Sequence, residues 1–246
     1  MPNALARSAL FGVAHVRSGV RKDYKRHPIA SSKGILLTYT GEELRQDDED
    51  VFLQVLHLAK EQKLGEDIMF TAHSMLVALG WTRNSESYDR LSECMSRMLA
   101  TALSMTVERP EGRMSFSGSL LRGFRWREKG ASDPLREWAV SLDKDIVALF
   151  DPHAYSLIHW ETRLNLPPLA KWLHSFYSTH KEPFPLKVET FHKLTASGAK
   201  ELRTFRAKLK MALALLVERG FFLSASIDPK SDLVIVERAA DRKRLE

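Results

Sequence analysis

Apolar side chains at Val51, Phe52, Val55, Leu56, Leu58 and Ala59 repeat with the spacing of one helix face. The acids of "GEELRQDDED" just ahead of them suit a helix N-terminus. "ILLTYT" (35–40) before it and "IMF" (68–70) after it are short strands, the second leading to Thr71, a credible N-cap for "AHSMLVAL". Gly80 closes that helix. A longer helix is expected from about Ser85 to Leu103, with Leu91, Met95, Met98 and Ala102 on one stripe. Two strand-like stretches follow, "SMTVER" and "MSFSGSLLRGFRWR". A loop "EKGASDP" and a strand "REWAVSL" complete a hairpin.

Helix, short strand, helix, turn, helix and hairpin is the order of a winged helix. The second half repeats that order. "LAKWLHSFYSTH" (169–180) leads, and "FPL" takes the place of the short strand. "KVETFHKLTAS", ended by Gly198, is the second helix, and "FFLSASI" with "LVIVER" is the hairpin. The two copies lie about 115–120 residues apart, a repeat of pattern and not of identity. The expected fold is therefore α+β, with tandem winged-helix domains in a pseudo-twofold relation. Residues 1–34, with turn formers and charge but no period, read as a basic N-terminal arm. Residues 35–142 read as the first winged helix and 143–246 as the second.

The third helix of the second copy sits in "AKELRTFRAKLKMALALLVERGFF" (199–222), basic in its first half and apolar in its second. On a helical wheel Leu202, Phe205, Leu209, Leu213 and Leu216 form the core stripe. Lys200, Arg203, Thr204, Ala207 and Met211 lie opposite, flanked by Lys208 and Lys210. In a helix-turn-helix the start of this helix enters the major groove while its far end packs into the domain. Arg203 suits a bidentate contact with guanine; Lys200, Thr204, Lys208 and Lys210 can reach bases or phosphates. Arg206, nearer the core edge, suits phosphate. The matching helix of the first copy mixes Arg90 and Arg97 with Glu86, Asp89 and Glu93. Its hairpin carries Arg109, Arg113, Arg122, Arg125 and Arg127, which fit phosphate better than bases. The first copy is expected to hold position, or to dimerise, while the second reads sequence.

The net charge of +6 across 246 residues fits an anionic partner. A basic run at Arg17, Arg21, Lys22, Lys25 and Arg26 adds a second cluster. No apolar run approaches the ~20 residues of a membrane span, and no signal pattern opens the chain. The single cysteine, Cys94, excludes an internal disulfide and a cysteine-based zinc site, which points to the cytoplasm. Cys94 falls on the inward side of its helix and reads as a buried structural thiol. No phosphate-cradling G-x-x-x-x-G-K motif and no metal-ligand spacing of histidines occurs, so no cofactor or metal is expected. Asp47, Asp48, Glu49 and Asp50 are consecutive and cannot converge from one helix face. The pattern is that of a binder and not of an enzyme. A transcriptional repressor of the same fold is the alternative, and a nicking nuclease is a third reading from another class.

Several motifs in one order carry a resemblance: "RSALF" (7–11), "YTGEEL" (39–44), "VLHLAK" (55–60), "LGW" (79–81), "ECMSRMLATA" (93–102) and "HKEPFPLKVETF" (180–191). Together they resemble the TrfA-type plasmid replication initiators over nearly the whole chain. The resemblance implies two winged helices that bind direct repeats, or iterons, in double-stranded origin DNA. It further implies opening of an adjacent AT-rich region, contact with the single strands so exposed, and recruitment of the host initiator and replicative helicase. Inactive homodimers in equilibrium with active monomers are also implied. Arg203 and Arg206 fall where the family has basic residues in its second recognition helix. Some members carry a clamp-binding glutamine-leucine-phenylalanine peptide ahead of the "RSALF" segment. The sequence has none there, and "QVLHL" (54–58) falls inside an amphipathic helix.

Overall fold

The computed structural model describes residues 1–15, 19–61, 67–109, 112–127, 137–143, 146 and 155–239. Its N-terminal segment departs from the expected arm. Helix α1 (Asn3–Ala6), strand β1 (Phe11–Gly12) and the turn between them bury Leu5, Phe11 and Leu10 in the first hydrophobic core. Strand β2 (Asp23–Pro28) pairs antiparallel with β3 (Ile35–Glu42), and β1 runs parallel to β4 (Leu44–Arg45). A one-turn helix and a two-residue strand are too short to show a period, so their burial depends on partners far along the chain.

Helix α2 (Gln46–Glu61) follows at once, with Asp47, Asp48 and Glu49 in its first turn, where the helix dipole favours acids. Strand β5 (Ile68–Thr71) leads into α3 (Ala72–Ala78), whose N-cap Thr71 forms a reciprocal capping box with Ser74. Gly80, at φ +65°, ends it. Helix α4 (Ser85–Leu99) buries Leu91, Cys94, Met95 and Met98. It stops before Ala102, which is exposed in the next strand.

The strands after α4 serve two sheets. Strands β6 (Ala102–Arg109) and β7 (Gly112–Gly118) extend a four-stranded antiparallel sheet in the order β2-β3-β6-β7. Strands β8 (Gly123–Arg127) and β9 (Glu137–Ser141) make the wing, in the order β5-β9-β8. "MSFSGSLLRGFRWR", expected as one strand, is broken at Leu120 and Leu121. Both side chains are fully buried, and Leu120 N donates to Thr101 Oγ1 at 3.0 Å. Burying two adjacent residues forces the chain out of the pleat and from one sheet to the other.

The second unit is simpler. After α5 (Trp160–Leu164) come α6 (Pro168–Ser178), β10 (Leu186–Lys187), α7 (Val188–Leu194), α8 (Leu202–Glu218), β11 (Phe222–Ile227) and β12 (Leu233–Arg238). Helix α7 ends at Leu194, ahead of Ala196 at φ +48°, and not at Gly198. Its sheet has the order β10-β12-β11. The short strand therefore pairs with the second wing strand, as β5 does with β9 in the first unit.

Each unit has its own core. Leu91, Met95, Phe52 and Trp138 belong to the first; Trp172, Phe176, Phe191, Phe205 and Leu213 to the second. Ile146, Ile158 and Trp160 still pack on the first core, and the second begins at Leu166. The division between cores thus falls later than residue 142.

Candidate nucleic-acid interface

Helix α8 buries Phe205, Leu209, Ala212, Leu213 and Leu216 against the second core. Four of the five residues of the expected stripe are among them, and Leu202 is half-buried at its edge. Turning that stripe inward leaves Lys200, Arg203, Thr204, Ala207, Lys208, Lys210 and Met211 exposed. Positions 203, 204, 207, 208 and 211 stack at intervals of three and four residues, so they share one face, whereas Lys200 lies ahead of the helix, beyond its N-cap Glu201. The face carries Arg203 and Lys208, and Lys200 is exposed just ahead of it beside Glu201, the only acid there.

Arg206 does not join that face. It donates from Nε to Asp232 Oδ1 at 2.9 Å and from a terminal nitrogen to Asp232 Oδ2 at 2.8 Å. Asp232 lies in the wing turn at φ +57°, so this fork fastens the hairpin to the reading helix. The expected phosphate role does not fit a guanidinium already filled by a carboxylate. Lys230 at the tip of the same turn is exposed, and its backbone N–H donates to Asp228 at 2.7 Å. A lysine between two turn-forming aspartates, in "DPKSD" (228–232), is the local sign of a basic wing tip.

In the first unit the cations of α4 turn inward. Arg97 is only 9% exposed and donates to Asp48 at 3.1 Å and to Cys94 Sγ at 3.3 Å. It is a core cation, which corrects its assignment to a DNA face. Arg90 lies over the Trp81 ring, 3.8 Å from its centroid, and pairs with Asp47 at 3.4 Å. The charged residues that α4 exposes to solvent are Glu86, Asp89 and Glu93, all acids. Arg122 is exposed at the start of the wing, Arg125 on β8 pairs with Asp67, and Arg113 pairs with Glu108 at 3.2 Å. Arg113 belongs to the four-stranded sheet and not to the wing. The side chains of Arg109 and Arg127, and residue Arg17, lie outside the described residues.

Against expectation the consecutive acids of α2 converge in pairs, Asp47 and Asp48 on Arg21 and Glu49 and Asp50 on Arg163, and all four are buried. Asp48 takes Arg21 at 2.7 Å and Arg97 at 3.1 Å, while Asp47 takes Arg21 at 3.1 Å. Burial pushes the Asp47 carboxyl up, but the guanidiniums of Arg21, Arg90 and Arg97 outweigh it and hold it below the usual range. Cys94 lies against the same carboxylates, and burial raises its thiol well above normal. Ligand atoms of Asp47, Asp48 and Cys94 come within 4.8 Å of one another. The three guanidiniums already neutralise that charge, so the cluster is structural. Arg21, expected in a basic arm, is spent there as well.

One reading helix and one wing on each of two cores define a tandem winged-helix protein. Within that class the chain belongs to the TrfA protein family, whose sequence profile matches residues 1–238. It is 35% identical over 239 residues to the plasmid replication initiator protein TrfA of Escherichia coli. The match takes in 97% of this chain and 61% of that relative's length. Domains 2 and 3 of RctB share the fold at 14% identity, with a TM-score of 0.65 over 94% of this chain and 95% of that one. A second structure of RctB domains 2–3 gives a TM-score of 0.61 over 93% and 95%. At that identity the likeness is one of fold.

Proposed function

We propose that the chain is a plasmid replication initiator without catalytic activity, binding directly repeated iterons through α8 and its wing. The observation that carries this reading is the outward face of α8. Arg203, Thr204 and Lys208 stand on one exposed side of a helix whose other side is buried in a winged-helix core, and Lys200 is exposed just ahead of that helix. Arg203 reads a base, Lys200, Lys208, Lys210 and Lys230 contact phosphate, and Arg206 positions the wing. In the first unit Arg122, Arg125 and Arg113 contact phosphate, Glu86 and Asp89 on the outer face of α4 meet a second, unlike half-site, and Arg90 is held back by Asp47 and Trp81. The bound repeats are then opened at an adjoining AT-rich segment, onto which the host initiator and helicase are brought. Dimers are the inactive store and monomers the active form, with the first unit as the dimerising one. The name of the Escherichia coli relative supports the replication role.

Loss and restoration of the replicon test this. A plasmid whose copy of the gene is deleted should be lost, and the wild-type gene in trans should restore it. The double variant Arg203→Ala/Lys208→Ala should fail to restore it while remaining folded. Incubating the protein with supercoiled origin DNA and magnesium or manganese should leave the DNA supercoiled; relaxed or covalently tagged DNA would establish a nuclease instead.

A further inference from the structure

We infer that Arg163 is a positioning residue that sets the separation of the two half-sites; this rests on the reading of the chain as two linked DNA readers. Arg163 lies on α5, between the two cores, and is fully buried. Its Nε donates to Asp50 Oδ1 at 2.8 Å. One terminal nitrogen donates to Gln46 Oε1 at 3.1 Å and lies 3.3 Å from Glu49 Oε2. The other donates to Ser175 Oγ at 2.6 Å and to the Lys171 carbonyl at 3.2 Å. Gln46, Glu49 and Asp50 belong to α2, the leading helix of the first unit. Lys171 and Ser175 belong to α6, the leading helix of the second.

The partners close a ring around the guanidinium. Ser175 Oγ donates onward to Glu49 Oε1 at 3.0 Å, and the Lys171 ammonium pairs with Asp50. All the donors of a planar fork are thus used, in directions fixed by its geometry. An apolar joint would let the two helices slide and rotate at small cost, whereas this one has a single register. Buried ion networks are often replaceable by apolar groups without loss of stability, and their best-attested use is to specify one arrangement. A second fastening lies beside it: Trp172 Nε1 donates to the Ser8 carbonyl at 3.1 Å, and Arg7 Nε donates to Thr179 Oγ1 at 2.8 Å.

A rigid joint matters because two linked readers bind with full avidity only when their separation matches that of their sites. Holding α2 against α6 holds α4 and α8 at one distance and one angle. The joint therefore converts a buried arginine into a ruler along the DNA.

Selection from a duplex library with a randomised central segment tests this on the full chain. The wild type should return two unlike half-sites at one separation. Arg163→Met/Glu49→Gln removes the fork and one acid together and leaves Asp50 to Lys171. It should return the same half-sites with separations spread over several base pairs. Its preference for the wild-type spacing over a duplex with ~2 bp inserted should fall by about tenfold or more. Arg163→Lys, which keeps the charge but loses the fork, should lie between. If folded variants keep the single separation and the full preference, Arg163 is only structural and the inference is overturned. Should the double variant not fold, Arg163→Lys decides by the same criterion. A wild type that selects one half-site alone would overturn the two-reader reading itself, whatever the variants do.

Discussion

At the scale of single residues, neighbours decide what an arginine does. Arg97 and Arg203 both sit on the third helix of a helix-turn-helix. Arg97 has Asp48 within 3.1 Å and is buried, whereas Arg203 faces solvent. Arg97→Ala should destabilise the fold by about 1.5–3 kcal/mol, because it takes from the buried Asp48 one of the two guanidiniums that pair with it. Denaturant titration measures it, and a loss under ~1 kcal/mol, the range of an exposed pair, would contradict the assignment. Arg203→Ala should leave stability alone and cost about 1–3 kcal/mol of binding at one base pair. Arg122→Ala should weaken all sequences alike and flatten the salt slope by about one. An unchanged ratio of specific to random binding in Arg203→Ala would remove α8 as the reader.

His174 adds a pH dependence at the same scale. It is fully buried against Phe221, and neither ring nitrogen has a partner among the described residues. Burial, and secondarily the nearby Arg163, lower its pKa from 6.5 to about 3. The unfolded chain binds a proton that the folded chain refuses, so stability is full above about pH 6.5 and falls as the pH drops towards 3. Relative to pH 7, the loss at pH 5 should be about 2 kcal/mol. His174→Leu should remove most of that slope in thermal or denaturant unfolding. An equal slope in the variant would place the titration elsewhere.

Among elements, those with a long local period were legible in the sequence. The stripe of α8 and the Thr71 cap needed only neighbours three or four residues away. The capping box of α3 joins Thr71 Oγ1 to Ser74 N at 3.0 Å, so Thr71→Ala should cost about 1 kcal/mol in equilibrium unfolding. No change would mean that the cap is idle. What the sequence hid depends on distant partners. The alternation at Ile35, Leu37 and Tyr39 marks a strand, but nothing local says that it pairs with β6 instead of joining the wing. The acids of α2 read only as a favourable helix start until Arg21, Arg90, Arg97 and Arg163 arrive from elsewhere in the chain. Arg97 was misplaced for the same reason: its carboxylate partner lies 49 positions away.

For the whole molecule, the central claim is that one chain carries two unlike readers. Lys200, Arg203 and Thr204 face outward on one; Glu86 and Asp89 on the other. A homodimer of identical readers needs a palindrome, whereas two unlike readers in one chain need a site with direction. Hydroxyl-radical footprinting of the monomer on a single repeat of its origin measures this directly. Protection should cover about 20 bp, in two unequal patches whose centres lie ~10 bp apart on one face of the duplex. A short symmetric footprint over one groove, or protection seen only with two chains bound, would contradict the account.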